Sequence, residues 1–349
     1  MRVLITGAGG FIGAHVVRAF AQQGHTIFAL TRTGGNVEVL SDCCGEVHPV
    51  KTDLNNHTKV RTLVRQICPE LAIHLAWYAV PGRYWTAPEN LDCVAASLNL
   101  ARALADAGCR RLVVAGSCAE YDWDHGFLSE KCTPLRPRTF YGTCKNALRE
   151  MLETYCARTP MQCAWTRFFY LYGPGEDSAR LVPSIILSLL QGQLARCTRG
   201  EQLRDFLYVE DAAAALAAVA TSDFTGAINI GSGQAVPVST IVDTIAGILD
   251  QRDRVLLGAI PENPEEPPLL VADVRSLTQT IGWKPSRTLE EGLFRTVAWW
   301  DHTQGRIAMR DLDLVPTLPV GNQAQARLDP HVVTGRLHFR PSNAPQRSS

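Results

Sequence analysis

Residues 3–13 read Val3-Leu4-Ile5-Thr6-Gly7-Ala8-Gly9-Gly10-Phe11-Ile12-Gly13, and this stretch decides the fold. A short apolar run ends at Thr6, glycines recur at every third position from Gly7, and an apolar-periodic helix follows. The pattern is typical of a strand, a tight turn and a helix N-terminus. The free N–H groups of such a turn and the positive end of the helix dipole favour a phosphate. We expect a dinucleotide to contact Gly7, Gly10, Phe11 and Ile12; the alternative is a helix entry that merely needs glycine.

The composition favours a folded α/β protein without nucleic-acid or membrane partners. Of 349 residues, 46% are hydrophobic and 19% are charged, enough for two domains or for one large α/β unit with an insert. Lys and Arg together number 34, as do Asp and Glu, so no surplus charge would attract nucleic acid or an anionic membrane surface. We find no apolar run of membrane-spanning length and no signal peptide, and we expect a cytoplasmic protein. The eleven cysteines lack metal-ligand spacing, which predicts reduced thiols and no metal site.

Strands and helices alternate along the chain. Strands are predicted at 3–6, 25–30, 47–51, 71–76, 111–115, 162–169 and 227–230. Helices are predicted at 14–23, 57–67, 90–107, 141–158, 181–191, 238–250 and 289–300, with an alanine-rich helix after Asp211. This alternation predicts an α/β fold, namely a Rossmann-type doubly wound parallel sheet with a smaller, partly interleaved mixed α/β substrate lobe.

The chain is expected to divide into three parts. Residues 1–169 are predicted to form the dinucleotide-binding domain, to which a strand and a helix at about 205–232 return. Residues 170–300 are predicted to form mainly the substrate lobe. Beyond Trp300 the periodicity fades, and Pro, Gly, Gln, Arg and Ser accumulate towards the end. We expect residues 301–349 to be a poorly ordered tail.

The end of the second strand indicates which dinucleotide is used. In such folds it faces the adenosine ribose, where an acidic residue binds the 2′-hydroxyl of NAD. Thr31 and Arg32 stand there instead, and an arginine pairs with the 2′-phosphate of NADP. We expect NADP(H), with NAD(H) as the alternative if Arg32 is an ordinary surface residue. Asp53 and Leu54, after the third strand, are placed to touch the adenine.

The loop 77–88 follows the carboxyl end of the fourth strand and is rich in aromatic residues, among them Trp77, Tyr84 and Trp85. Ligands of parallel sheets bind at the carboxyl ends of the strands. We therefore expect these rings to face a ligand; the alternative is a surface loop that packs on itself.

Ser117, Tyr141 and Lys145 form the constellation that carries chemistry. Tyr141 and Lys145 are four residues apart, on one face of a predicted helix, and Ser117 ends the neighbouring strand. A free phenol has a pKa of about 10. A nearby ammonium and a nicotinamide cation would lower the pKa of Tyr141, so that it acts as general acid or base toward a carbinol oxygen. Ser117 would hydrogen-bond the same oxygen, and Lys145 would also reach the nicotinamide ribose.

The chain resembles an extended short-chain dehydrogenase/reductase of the NAD-dependent epimerase/dehydratase type, whose usual substrates are nucleotide sugars. The matching pieces run in order from residue 1 to residue 300: Thr6 to Gly13, Asp53-Leu54, His74-Leu75-Ala76, Asn90, Gly116-Ser117, Tyr141 to Lys145, Arg167-Phe168-Phe169, Tyr172-Gly173-Pro174-Gly175, Arg204-Asp205-Phe206, Asn229-Ile230-Gly231 and Gly282-Trp283.

The resemblance implies further contacts and a partner. It places Leu75, Ala76 and Asn90 at the cofactor. It makes Arg204 the partner of the nucleotide diphosphate, and it puts Val182 beside the base. The positions of Trp77, Cys118, Ala119 and Tyr170 are those of substrate-binding residues. A homodimer through the helices at about 90–107 and 141–158, paired as a four-helix bundle, is also implied.

Departures from the family pattern favour one reaction. In sugar 4,6-dehydratases, acidic residues that act on C5 and C6 follow the Ser or Thr directly, whereas Cys118 and Ala119 stand here and Glu120 lies one place further on. Dehydration is therefore disfavoured, and an epimerase usually shows the acidic ribose ligand that Thr31 and Arg32 replace. We expect NADPH-dependent reduction of a nucleotide-linked 4-keto-6-deoxy sugar. The alternatives are an NAD-dependent nucleotide-sugar 4-epimerase and, less favoured, a 4,6-dehydratase or a non-enzymatic nucleotide sensor.

Overall fold

The computed structural model describes residues 1–35 and 37–303. The strands are β1 (Arg2–Thr6), β2 (Thr26–Thr31), β3 (Val47–Lys51), β4 (Leu71–His74), β5 (Arg111–Ser117), β6 (Phe127–Leu128), β7 (Gln162–Phe168), β8 (Tyr170–Tyr172), β9 (Ala195–Arg196), β10 (Leu203–Arg204), β11 (Phe206–Tyr208), β12 (Gly226–Ile230), β13 (Val236–Pro237), β14 (Val255–Leu256) and β15 (Leu269–Ala272). The helices are α1 (Phe11–Gln22), α2 (His57–Ile67), α3 (Glu89–Asp106), α4 (Phe140–Cys156), α5 (Leu181–Leu190), α6 (Val209–Thr221), α7 (Val238–Ile248) and α8 (Leu289–Thr303).

The main sheet is parallel throughout and has the order β3-β2-β1-β4-β5-β7-β12. The chain winds outward from β1 in both directions, so the doubly wound sheet predicted from the alternation is confirmed. Ligands of such sheets bind where the winding direction changes, at the carboxyl ends of the strands. This point lies between β1 and β4, whose last residues Thr6 and His74 are paired in register.

Helices cover both faces of this sheet. Val3 and Ile5 of β1 join the core cluster that includes α1 and α6, whereas Leu4 joins the cluster of α2, α3 and α4 on the other face. Strands buried on both faces read as continuous apolar runs, which is why β1 shows no polar alternation. Among the described residues, no helix combines the length and the apolar character needed to cross a membrane.

The described residues also form three smaller sheets. One has the order β13-β10-β15-β6, and two pairs, β8 with β11 and β9 with β14, complete the set in the described residues. Helices α5, α7 and α8 share a separate apolar core that contains Ile186, Ile241 and Leu293. The sequence did not predict these two- to four-residue strands, because each is too short to show a period. The boundaries between the domains stay a prediction.

Predicted and observed ends differ by up to three residues, and three of these differences bear on the site or on the tail. The first helix begins at Phe11 rather than at 14, since Gly10 is already its N-cap. The fourth strand ends at His74, two residues early. The last helix continues to Thr303, whose hydroxyl donates to Trp299 O (2.9 Å), so the expectation of a tail was wrong for residues 301–303, which are helical. Residues 304–349 of that predicted tail lie outside the described residues.

Arg111 is the first residue of β5, and its side chain binds the C-terminal end of α6. Its guanidinium is only 8% exposed and donates to the carbonyl oxygens of Val219 (2.7 Å), Ala220 (2.7 Å) and Phe224 (2.8 Å). The carbonyls at the end of a helix have no intrahelical partner and carry partial negative charge. A cation buried against them satisfies these acceptors where water cannot reach.

We expect Arg111→Met to lower the free energy of unfolding by about 3 kcal/mol, because buried carbonyls lose a charged donor. Arg110→Met is the matched control. The neighbouring Arg110 is exposed and pairs with Glu70 at 2.9 Å, so its loss should change stability by less than about 1 kcal/mol. Urea denaturation of both variants measures the difference, and equal losses would contradict the assigned role.

Candidate active site

The glycine turn brings the backbone of β1, α1 and the segment after β4 close together. Gly7 has φ +70°, and a Cβ there would lie 2.8 Å from Ala76 N. A Cβ on Gly13 would lie 2.0 Å from Gly7 O, so only glycine lets α1 start this close to β1. Gly10 N–H donates to Gly7 O at 2.9 Å and closes the turn. The helix N-terminus is therefore held directly at the end of β1, where the pyrophosphate of a dinucleotide is expected.

A buried hydrogen-bonded chain ties the strand ends below this turn. His74 bonds Thr6 Oγ1 through Nδ1 and Ser97 Oγ through Nε2, both at 2.7 Å. Burial lowers the pKa of His74 to about 3, so the ring is neutral. Ala76 N–H donates to Thr6 Oγ1 at 3.3 Å. His74 thus fixes the start of the segment that carries Leu75, Ala76 and the aromatic loop.

Two buried hydroxyl groups at the ends of β2 and β3 have no hydrogen-bond partner within the described residues. The hydroxyls of Thr31 and Thr52 are buried and make no hydrogen bond within the described residues. Arg32 and Asp53 are exposed next to them, and Leu54 is half-buried. Buried hydroxyls normally find a partner. Two unsatisfied hydroxyls beside an exposed arginine therefore fit the ribose end of a dinucleotide.

Ser117 and Tyr141 are brought together by the close approach of α4 to the turn after β5. A Cβ on Gly142 would lie 2.2 Å from Ala119 O, so glycine is needed at this contact. Thr139 caps α4, accepting from Gly142 N–H at 3.0 Å. Ser117 Oγ accepts from Ala119 N–H at 3.2 Å, and its hydroxyl also contacts the Tyr141 phenol. The first turn of α4 and the last residue of β5 therefore share one site.

The protonation state of Tyr141 differs from the expectation. Burial raises the pKa of Tyr141 above its ordinary value, and the nearby Tyr84 adds to this, while the hydrogen bond with Ser117 opposes it. The ammonium of Lys145 does not lie at the phenol hydroxyl: Nζ donates to Ala115 O at 2.7 Å and sits 3.7 Å from the centre of the Trp77 ring. Without a bound cofactor, Tyr141 is held as a protonated phenol.

Lys145 is also strongly perturbed. It is 3% exposed, and burial lowers its pKa to about 7, a shift that the negative charge of Glu120 opposes. Near neutral pH, Lys145 is therefore present both as the ammonium and as the neutral amine. Groups of this kind, in a cleft with a specific charged partner, are typical of functional sites.

The aromatic loop packs against Tyr141. The ring centres of Trp77, Tyr84 and Trp85 lie 6.2, 5.0 and 5.8 Å from that of Tyr141, all near perpendicular. Tyr141 N–H also donates to Trp85 O at 3.1 Å. The loop thus forms an apolar wall beside the phenol, which explains why burial dominates the pKa of Tyr141.

Asn90 anchors this loop through side-chain hydrogen bonds. It is fully buried and accepts from Trp77 Nε1 at 2.8 Å. Its amide donates to the carbonyls of Tyr84 and Ala87, both at 2.8 Å. Asn90 therefore anchors the loop, and its expected contact with the cofactor stays a prediction.

The expected substrate residues occupy different kinds of positions. Cys118 and Ala119 are buried beside Ser117, and burial raises the pKa of the Cys118 thiol to about 12. Tyr170 is half-buried, and burial raises its pKa above the ordinary range. Val182 is 2% exposed and packs in the core of α5, α7 and α8, so its side chain belongs to that core.

Arg204 already has an anionic partner. Its guanidinium is 2% exposed, lies 5.6 Å from the Tyr170 ring and donates to Glu266 Oε1 at 2.7 Å. Glu266 is part-exposed, on the segment before β15. A carboxylate thus occupies the place beside Arg204 where the diphosphate was expected.

Sequence reasoning assigned no role to Arg180, Glu176 or Glu120. Arg180 lies 5.2 Å from the Tyr84 ring, and burial raises the pKa of Glu176 to about 8. Neither stands in a recognisable motif. Glu120 had a signal: Ser117-x-x-Glu120 has the spacing of a capping box, and both of its hydrogen bonds are present.

Known proteins resemble this chain in sequence and in fold. The model of the NAD dependent epimerase/dehydratase family matches residues 3–231. UDP-glucuronic acid decarboxylase 1 of Xenopus tropicalis is 27% identical over 312 residues, covering 86% of this chain and 72% of the relative. The dTDP-6-deoxy-L-talose 4-dehydrogenase (NAD(+)) of Aggregatibacter actinomycetemcomitans is 27% identical over 245 residues, covering 70% and 88%. The structure of MoeE5 in complex with UDP-glucose and NAD is 31% identical, with a TM-score of 0.76, and covers 87% of this chain and 100% of MoeE5.

The family match spans more than half of the chain, from β1 to the end of β12, and it includes the glycine turn with Ser117, Tyr141 and Lys145. The MoeE5 match extends over nearly all of the described residues. The chain therefore belongs to the NAD dependent epimerase/dehydratase family of extended short-chain dehydrogenases/reductases, whose members modify nucleotide sugars.

Proposed function

We propose that this enzyme reduces a nucleotide-linked 4-keto-6-deoxy sugar to the 4-hydroxy sugar with NADPH. The observation that carries the proposal is the contact of the Tyr141 phenol with the Ser117 hydroxyl, one helical turn from the buried Lys145. The phenol carries the proton that a carbonyl oxygen needs as its carbon is reduced.

Each side chain has a role in this reaction. The bound cofactor supplies the hydride. Tyr141 gives its proton to the oxygen at C4, and Ser117 hydrogen-bonds that oxygen as negative charge develops on it. Lys145, held on Ala115 O above the Trp77 ring, contributes positive charge and a donor toward the nicotinamide ribose. The aromatic loop keeps water away from the phenol.

The structure offers little for dehydration. The thiol of Cys118 is buried and resists deprotonation, Ala119 carries no acid, and the carboxylate of Glu120 is engaged inside the protein. Among the described residues that directly follow Ser117, none offers an acidic side chain that could exchange protons at C5 and C6 of a sugar.

A second candidate is an NAD-dependent nucleotide-sugar 4-epimerase. The buried hydroxyl of Thr31 favours it, because an uncharged partner suits an unmodified ribose. The NAD and UDP-glucose bound to MoeE5 also support it. An epimerase returns its hydride to the same sugar, so it would purify with bound NAD and interconvert C4 epimers without added cofactor.

A homodimer through α3 and α4 accompanies the proposal. Leu91 of α3 is 58% exposed, and Phe140 and Met151 of α4 are 37% and 40% exposed. Apolar side chains at this exposure on two adjacent helices suit a four-helix interface.

Tyr141→Phe should reduce kcat about 10²- to 10⁴-fold and leave NADPH binding unchanged, because only the proton donor is lost. The assay follows NADPH oxidation with nucleotide-linked 4-keto-6-deoxy sugars. Tyr155→Phe, on the same helix and half-buried, is the matched control and should retain full activity. Full activity in the Tyr141 variant would exclude this mechanism.

Arg32→Ala should weaken NADPH binding by about tenfold or more and change NADH binding little, because the arginine pairs only with the 2′-phosphate. Fluorescence titration with both cofactors measures this, with Arg158→Ala as a control at an exposed arginine beyond α4. Unchanged NADPH binding, or tighter binding of NADH by the unaltered enzyme, would favour the epimerase.

Glu266→Gln should tighten UDP or dTDP binding about tenfold, because the carboxylate at Arg204 competes with the diphosphate. Glu262→Gln is the control, since Glu262 pairs with the exposed Arg199 at 3.3 Å. Calorimetric titration compares the three proteins. Weaker nucleotide binding by the Glu266 variant would show that this carboxylate supports the site instead of competing for it.

A further inference from the structure

Glu120 is a fully buried acid whose oxygens are all engaged by donors. It is 0% exposed, in the turn after β5. Its Oε1 accepts from Ser117 N–H at 2.7 Å, and its Oε2 accepts from Arg167 Nε at 2.7 Å. Trp165 Nε1 donates to both oxygens, at 2.9 and 3.0 Å. One of these donors, Arg167, is charged and forms a buried ion pair with Glu120.

Glu120 and Lys145 hold the same strand end from two elements. Lys145 Nζ donates to Ala115 O at 2.7 Å, while Glu120 accepts from Ser117 N–H, two residues along. Gly116 between them has no space for a side chain: a Cβ would lie 2.6 Å from Glu120 Oε1 and 2.1 Å from Trp165 Nε1. The backbone that carries Ser117 is therefore fixed between a buried cation and a buried anion.

We propose that Glu120 is a positioning residue of this site: it fixes the strand end that carries Ser117 and is the anionic partner of Lys145 across that strand end. The inference rests on the proposed roles of Ser117 and Lys145 in the reaction. It gives Glu120 a part in the site without contact with substrate.

The charges around Lys145 come from several elements. Glu120 is the main attraction; Cys93 of α3 is a neutral thiol because burial raises its pKa, and the buried His74 of β4 is neutral as well. Arg167 of β7 faces Glu120 and compensates part of its charge; it also donates to Tyr121 Oη at 3.0 Å. Burial already lowers the pKa of Lys145 to about 7, so the loss of one anion moves this lysine to its neutral amine at physiological pH.

The test is an NMR titration of the Nζ and Cε nuclei of labelled lysines in the full chain, without substrate or cofactor. Lys145 is assigned by the signal that disappears in Lys145→Arg. The other lysines, Lys51, Lys59, Lys131 and Lys284, are all exposed. In Glu120→Gln the pKa of Lys145 should fall by about one unit, because removing an anion destabilises the ammonium. Glu120→Asp, which keeps the charge, should leave it closer to the unaltered value.

Asp211→Asn is the matched control for a lost buried acid. Asp211 is 2% exposed, accepts from Ser286 Oγ and Arg287 N–H, and lies at the start of α6. This variant should lose stability but leave the pKa of Lys145 unchanged. Arg167→Gln covers the case in which Glu120→Gln fails to fold. It removes a cation near Glu120 and Lys145, so the pKa of Lys145 should rise.

An unchanged Lys145 pKa in folded Glu120→Gln, or a fall in Arg167→Gln, would overturn the inference. Either result leaves the proposed function standing, since the titration involves no turnover. The Tyr141 variant tests that function separately.

Discussion

The close approach of α1 to the end of β1 is the constraint on which the rest of the structure depends. Gly13 lies against the carbonyl of Gly7, where a Cβ would come within 2.0 Å, so the first helix starts directly at the sheet edge. This geometry points backbone N–H groups and a helix N-terminus at one spot between β1 and β4. Thr31, His74 and Ser117 each end a strand at this same carboxyl edge of the sheet.

Burial, more than direct ion pairing, sets the chemistry of the site. The Tyr141 phenol and the Lys145 ammonium stand one helical turn apart, and an isolated helix would let the cation acidify the phenol. In the folded chain, the aromatic loop covers both groups, and the ammonium is turned to Ala115 O and the Trp77 ring. Desolvation then works on each group separately, raising the pKa of Tyr141 and lowering that of Lys145. A bound oxidised nicotinamide would add positive charge where the protein itself supplies little.

The fold could be predicted because its signals are local. The apolar period of α2 and the short run of β3 gave 57–67 and 47–51, and the structure has the same bounds. The catalytic candidates were also local, since Tyr141 and Lys145 share one helix. Contacts between residues that are far apart in the sequence could not be predicted from it. Glu266 is 62 residues from Arg204, and nothing in either segment predicts their ion pair. The same holds for Asn90, whose role depends on a loop conformation, and for the pKa of Tyr141, which depends on burial.

The central claim is that hydride passes between the cofactor and C4 of a sugar held at Ser117 and Tyr141. It is tested most directly with NADPH that carries deuterium at both hydrogen positions of nicotinamide C4, and with NMR and mass spectrometry of the sugar product. The account predicts deuterium at C4 of the sugar, in proportion to the cofactor oxidised. Cofactor oxidation that leaves no deuterium in the sugar, or places it at another carbon, would contradict it.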